Sequence, residues 1–490
     1  MLTTDEINRL IQEDSSSTKK NNARIGYRYY EGQHDILNYK LFYFNAQGDL
    51  VEDKTRSNIK IPHPFFTELV DQCVQYMLSG KEGFVKSDIP ELQDELNLYF
   101  GDDFKDELSD VLTDTCTGGF GEMYAYKSVD DRIAFQYAEA LNVVRVRAKD
   151  TDDHCEYVIY WYVDRIDKGQ KKIKRIQVWD KQQTYYFVQV DSDKIVKDTD
   201  EPINPRPHII YEKDNEEGKY GDSFGFIPFF RLSANRKEIS HLNPVKALID
   251  DYDLMACGLS NNLQDVSEAL YVVKGFQGDN MEELIQNIKT KKHIGVEPDG
   301  DVEVKTVDLP YDARVKKLEI DEKNIYKFGM GFNAAQLGDG NITNIVIKSR
   351  YALLDLKCNK LETKIRAFLK KLVKVALKEI NDINETDYQI KDVYFEFERE
   401  VMTNASDNAQ IEKTEAETEQ IKLNTILNAA ARLDNDTVLQ AICDLFDFDF
   451  EEVNAAVEQN PVVDLNSASE ALANQQIDES PPQQPEGGGG

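Results

Sequence analysis

The 490-residue chain has no CxxC pair and no HxH, HxxxH or HExxH, and its six cysteines, at positions 73, 116, 155, 257, 358 and 443, are scattered. Zinc ligation and small disulfide frameworks both need paired spacings, so neither is expected, and reduced thiols are the simplest reading. Long apolar runs are missing too: no window approaches the roughly 18 uninterrupted apolar residues of a membrane helix. The opening MLTTDEINRLIQEDSSSTKK lacks a basic segment followed by an apolar stretch. Membrane spans and a secretory leader are therefore not expected, and an intracellular chain is. Positive charge is scarce: 58 Lys and Arg stand against 90 Asp and Glu, a formal net charge of -32. General nucleic-acid affinity rests on neutralising phosphates with cations, so any contact with DNA must be local or deliberately light.

Signatures of catalysis are also missing. No GxxxxGK[ST] is present, and the glycine cluster CTGGFGE (Gly118, Gly119, Gly121) follows a helical pattern and precedes a strand pattern, the reverse of a phosphate loop. It is read as a turn. GMGFNA at 329–334 is a truncated GxGxxG without its third glycine. Asp250, Asp251 and Asp253, or Glu282 and Glu283, could in principle pair around a metal or share a proton. Adjacent acids on a helix diverge, however, and a chain with 90 acids shows such clusters by chance. No Ser, Cys or His sits in a nucleophile motif, and NITN at 341–344 has no meaning as a glycosylation site in a cytosolic chain. No enzyme, metal or cofactor is expected.

What is present is length, a 41% hydrophobic content sufficient for a sizeable core, and ordered patterning. Residues 1–40 predict an amphipathic helix with Thr4 as N-cap before Ile7, Leu10 and Ile11. Pro62 and Pro64 end an extended arm; Phe66, Leu69, Val70, Cys73, Val74 and Met77 then recur at helical spacing until Gly80. A further helix is expected from Glu91 to Thr117. The period then switches to two in EMYAYK, IAFQYA, VVRVRA, EYVIYWYV, KRIQVWD and TYYFVQV, which predicts an antiparallel sheet of six to eight strands through about residue 212, followed by a strand in GDSFGFIPFFRL. Asn243 reads as an N-cap with Pro244 at the first helical position. Residues 274–309 read as a small unit, with a short helix NMEELIQNIKT and strands HIGV and VEVKTV divided by the turn EPDGD. A helix follows Pro310 and ends at Gly329.

A long helix then carries Leu354, Leu361, Ile365, Phe368, Leu372 and Ala376 on one stripe; about 36 residues would extend roughly 54 Å. One strand, VYFEFERE, and helices over 404–459 come next, and the tail QQIDESPPQQPEGGGG has the composition of a disordered segment. Charge is polarised along the chain. Residues 344–379 hold ten Lys or Arg and three acids, a balance of +7, whereas 400–490 hold nineteen acids and three bases, a balance of -16.

The order of these parts, with NIKIPHPFFTELVDQCVQYMLSGKEG, a helix ending in TGGFGEMYAYK, IAFQYAEALNVVRV and the passage IPFFRLSANRKEISHLNPVKALIDDYD, resembles the portal, or head-to-tail connector, proteins of long-tailed double-stranded DNA bacteriophages of Gram-positive hosts. The resemblance covers about residues 20–460. It implies an α+β portal fold: a strand-rich wing over 1–242, a stem helix over 243–273, a small α/β clip over 274–309, and a second stem helix over 310–329. A tunnel loop over 330–343, a long kinked helix with a returning wing strand over 344–403, a helical crown over 404–460 and a disordered tail over 461–490 complete it. It also implies a ring, usually of twelve subunits, at one capsid vertex, as a conduit for DNA packaging and ejection. The partners implied are the terminase, major capsid and scaffolding proteins, a head-completion or adaptor protein, and double-stranded DNA passing through without sequence specificity, with no membrane contact.

On this resemblance Asn333, Gln336, Asp339, Asn341, Asn344, Lys348 and Arg350 are the DNA-facing residues of the tunnel loop, and Gly329, Gly331, Gly338 and Gly340 are its hinges. The glycines permit backbone angles closed to other residues, so the loop could change shape as a duplex moves. The neutral amides could touch phosphates without counterion-release affinity, while acidic walls repel the polyanion within a Debye length of about 8 Å. Two other classes stay open: a nuclease or ATPase component of a packaging machine, and a non-viral helical scaffold or adaptor.

Overall fold

A computed structural model of the chain describes residues 1–459 apart from 46, 55, 81–82, 128–131, 148–154, 167–170, 213–218, 266–269, 277–283, 285–294, 306–310, 334–343, 400–404 and 447. Its helices are α1 (Thr4–Ser15), α2 (Thr18–Tyr30), α3 (Phe65–Met77), α4 (Pro90–Tyr99), α5 (Asp102–Gly118), α6 (Lys246–Asp265), α7 (Tyr311–Gly329), α8 (Asn344–Asn384), α9 (Ala405–Ala429), α10 (Asn435–Phe446) and α11 (Phe450–Gln459). Strands β1 (Phe42–Phe44), β2 (Leu50–Glu52) and β3 (Val85–Lys86) precede the strand-rich region. That region holds β4 (Phe120–Lys127), β5 (Ile133–Ala138), β6 (Val143–Arg147), β7 (Cys155–Ile166), β8 (Lys172–Trp179), β9 (Gln183–Val190), β10 (Val196–Lys197), β11 (Arg206–Pro207), β12 (Ile209–Glu212), β13 (Lys219–Asp222) and β14 (Phe229–Ser233). Then come β15 (Leu270–Phe276), β16 (Val296–Lys305) and β17 (Tyr394–Phe395). No helix among the described residues is long and apolar enough to cross a membrane.

The strand-rich region is divided where a single sheet was expected. One antiparallel sheet of six strands runs β10-β9-β8-β7-β6 with β11 on β9, a separate one runs β14-β4-β5, and β12 pairs with β13 alone. Side-chain alternation explains the division, because successive strand residues face opposite ways. Val144, Ile159, Ile176 and Val178 cover one face of the larger sheet and bury Ile7 and Ile11 of α1. Their neighbours Val143, Val158 and Trp179 on the opposite face meet Ala138 and Phe229 of the smaller sheet. Glu122, fully buried on β4, holds the two sheets together: it accepts from Arg145 on β6 at 3.0 and 2.6 Å and from Arg231 on β14 at 2.5 Å. Burial would raise its carboxyl, but the two guanidiniums outweigh that and hold it below the usual range.

The main core forms around α3, α5 and α8. Leu354, Cys358, Leu361, Ile365, Phe368, Leu369, Leu372 and Ala376 line the buried stripe of α8 against residues such as Phe66, Leu69, Leu108 and Leu112. The helix is 41 residues, about 60 Å, slightly longer than its periodicity suggested. Glu379 fastens its later turns, accepting from Tyr99 Oη at 2.9 Å, the Ile133 amide at 2.8 Å and Lys127 Nζ at 2.5 Å.

Several boundaries differ from the sequence expectation for local reasons. The N-cap of α1 is Thr3, not Thr4, because only Thr3 has Glu6 three residues on to close a reciprocal capping box. The 91–117 helix is two, broken at Phe100–Gly101. Asn243 caps nothing: turns run from Ser240 and Leu242, the Leu242 carbonyl accepts from Lys246 at 2.8 Å, and α6 begins at Lys246. That helix ends at Asp265, so residues 270–273 are strand, paired with β16. EPDGD lies inside β16, where a register shift opposite Gly275 absorbs it. VYFEFERE contributes only Tyr394 and Phe395 as strand, on β3. NMEELIQNIKT, apart from Leu284, and the tail 461–490 lie outside the described residues.

By contact the chain forms two compact units, one of residues 1–339 and 349–401, the other of 340–348 and 402–490. In the second, Val438, Leu439 and Cys443 of α10 are buried, and α10 follows α9 through the turn at 430–432.

Candidate functional site

The segment after α7 is fixed at its base by α3. α7 closes with the Gly331 amide donating to the Tyr326 carbonyl at 2.9 Å, a cap that needs one residue in the left-handed region. That residue is Met330, with φ 55°, and not a glycine. Gly329 and Gly331 have ordinary φ and serve close approach: a Cβ on Gly329 would stand 2.6 Å from Leu69 Cδ1, and one on Gly331 would collide with Leu69 Cδ2. At both positions a buried leucine fills the space that a side chain would need.

Gln72, one turn along α3, then holds the backbone of Phe332 from both sides, accepting from its amide at 2.9 Å and donating to its carbonyl at 2.7 Å. The Phe332 ring stacks on Tyr351 of α8 at 4.4 Å between centroids, 24° from parallel. Lys357 of α8 is buried and donates to the Gly329 carbonyl at 3.1 Å and the Leu69 carbonyl at 3.4 Å, placing a cation at the carbonyl end of α7. Tyr326 Oη donates to Glu68 at 2.5 Å. Burial, then the Glu68 carboxylate, raises the phenol pKa. Helices α3, α7 and α8 are thereby tied at one point.

Of the residues expected to face DNA, Asn333 is buried and donates to Glu322 Oε1 of α7 at 2.8 Å. Asn344 is buried at the start of α8, Lys348 is exposed, and Arg350 is half-buried with a partner. Gln336, Asp339, Asn341, Gly338 and Gly340 lie outside the described residues. Of the anchors, Leu69 was read from sequence only as an apolar position of its helix, and Gln72, Met330, Tyr351 and Lys357 were not singled out. Lys357 left a signal, a charge on the core stripe between Leu354 and Leu361.

Of the acids weighed as a catalytic group, Asp250, Asp251 and Asp253 are dispersed into structural ties, and Glu282 and Glu283 lie outside the described residues. Asp250 accepts from Tyr29 and Lys246, Asp251 pairs with Lys317 at 2.6 Å, and Asp253 is buried. Asp253 accepts from His34 Nδ1 at 2.6 Å, His63 Nδ1 at 2.8 Å and the His63 amide at 2.9 Å. Burial would raise this carboxyl, but those bonds hold it below the usual range. It joins the turn that follows α2 and the 57–64 arm to α6. Among the described residues no group of three His, Cys, Asp or Glu is arranged to hold a metal ion. Gly119, with φ 93°, ends α5, as the turn reading of CTGGFGE requires.

A family profile described as "Phage portal protein, SPP1 Gp6-like" matches residues 11–453, most of the chain. The chain belongs to the phage portal family. Among similar proteins, a portal protein of Bacillus phage SPP1 is 28% identical over 348 residues, which is 70% of this chain and 67% of the relative. A portal protein of Clostridium phage phiCD119 is 26% identical over 402 residues, 77% of this chain and 85% of the relative. Portal function agrees with the resemblance read from IPFFRLSANRKEISHLNPVKALIDDYD, and the α+β mixture of helices and strands suits it. For the portal chain, the tie at Leu69, Gln72 and Lys357 sets one root of the 334–343 segment.

Proposed function

We propose that copies of this chain form a closed ring, of twelve subunits by family resemblance, at a capsid vertex, with the 334–343 segment of each copy at the constriction around double-stranded DNA. The observation that carries this reading is the portal profile over 11–453. The fixed root of the segment is consistent with it: a loop that touches a moving duplex must have a base that does not move, and Gln72, Lys357 and the Phe332–Tyr351 stack give it one. The chain is then a passive conduit and docking platform with no active site; terminase, capsid and scaffolding proteins and a head-completion protein would be its partners. Its charge of -32 keeps the duplex from adhering.

Negative-stain microscopy of the purified protein tests the ring. Annular particles with a central hole are expected; monomers or dimers at every concentration would favour a scaffold or adaptor instead.

A further inference from the structure

Two exposed helical faces of the same chain carry opposite charge and hold no ion pairs among the described residues. On α8, Lys360, Lys364, Lys371, Lys374 and Lys378 fall at steps of four, seven, three and four, which is one face of a helix, and all are exposed. None has an ion-pair partner among the described residues; Arg366 and Arg399, by contrast, both hold Glu362. The same face continues toward the start of the helix as Leu356 and Leu353, 59% and 40% exposed.

The second face is on α5. Asp103, Asp106 and Asp110 stand at i, i+3 and i+7, exposed and without a cation partner among the described residues, with Asp102 beside them. Lys105, in their midst, is turned away and donates to the Gly80 carbonyl at 2.9 Å. Like charges at this spacing work against a helix, so the arrangement costs stability in the isolated chain. Burial, then repulsion from Asp106, raises the Asp110 carboxyl. The acids are preceded by Leu98, 62% exposed.

We propose that the lysine and leucine face of α8 docks on the Asp103 to Asp110 face of α5 in a second copy, and that this is a head-to-tail contact between neighbours in the assembly. Both faces lie in the same compact unit, and no ion pair joins one to the other among the described residues, so each is open to an outside partner. Lys364 and Lys371 are seven residues apart, as are Asp103 and Asp110, so the charges repeat over about the same 10 Å. DNA is the weaker occupant for α8, because two exposed leucines gain nothing from phosphates. A contact using two different faces is heterologous and closes into a ring when its rotation allows. The inference rests on the ring reading above.

The test reverses charge on one face at a time. Lys360→Glu, Lys364→Glu and Lys371→Glu together make one variant; Asp103→Lys, Asp106→Lys and Asp110→Lys make the other. Circular dichroism and thermal unfolding check that each is folded, and sedimentation velocity reads assembly. Each variant alone should remain unassembled at a concentration where the unaltered protein is fully assembled. Mixing the two, or combining all six changes in one chain, should restore particles of the original size. Should one variant fail to fold, the six-change chain still decides: assembly supports the contact, and its loss overturns it. Assembly of either variant like the unaltered protein overturns the contact while leaving the ring intact. An α8 variant that assembles normally but binds less duplex assigns that face to DNA and also overturns it. An unaltered protein that never assembles overturns both readings.

Discussion

Single residues in this chain show how tightly the portal core is built. Gly331 approaches the Cδ2 methyl of Leu69, which is buried and would have to shift to admit a side chain. Gly331→Ala is therefore expected to cost about 2 kcal/mol by overpacking, read as a lower urea midpoint at unchanged slope, and Leu69→Val in the same chain should recover part of it. Equal midpoints for Gly331→Ala and the unaltered protein would contradict the packing role. His208, buried between Trp179 and Phe224, is pushed down from 6.5 to about 4 by burial. Between those values the unfolded chain takes a proton that the folded chain refuses, so stability falls as pH drops through that window and is regained as it rises. The contribution is about 3 kcal/mol. Urea unfolding at pH 7.5 and 4.5 should show His208→Phe losing less than the unaltered protein; identical losses would contradict this account.

Elements show where sequence reading succeeds and where it stops. Glu122 joins two sheets across β4, β6 and β14, and Glu122→Gln leaves Arg145 and Arg231 buried with a neutral partner. A loss of about 3–5 kcal/mol is expected in chemical denaturation, against less than 1 kcal/mol for the exposed pair Arg9–Glu13 when Glu13 is changed to Gln. The helix α8 was legible because its apolar residues from Leu354 to Ala376 keep a 3.6-residue period over about six turns, and the strands because β-branched and aromatic residues alternate. The division into two sheets was not legible, since it depends on which faces meet, and that is decided by Val143 against Val144 and by a distant arginine pair. The start of α6 was misplaced because Asn243-Pro244 has the chemistry of a helix start, yet the turn that feeds α6 is built from Ser240 and Leu242. At the candidate site, the glycines were visible as a cluster, but their purpose depends on Leu69, some 260 positions earlier, which no local pattern encodes.

At the scale of the whole molecule the account concerns charge and closure. A chain of -32 should bind free duplex weakly, and the uncharged amides proposed at the constriction should keep it so. Asn341→Lys should therefore steepen the dependence of duplex affinity on salt, by about 0.9 in the log–log slope for each phosphate newly contacted. An unchanged slope would place Asn341 away from DNA. Family membership over 11–453 makes the ring the reading to test first, and the fixed root of residues 329–333 makes the segment beyond it the place to look. The most direct measurement is a three-dimensional reconstruction of the assembled particle by electron cryomicroscopy. The account predicts a closed ring whose narrowest opening is lined by residues 334–343 of every copy; an open or absent ring, or that segment on the outer surface, would contradict it.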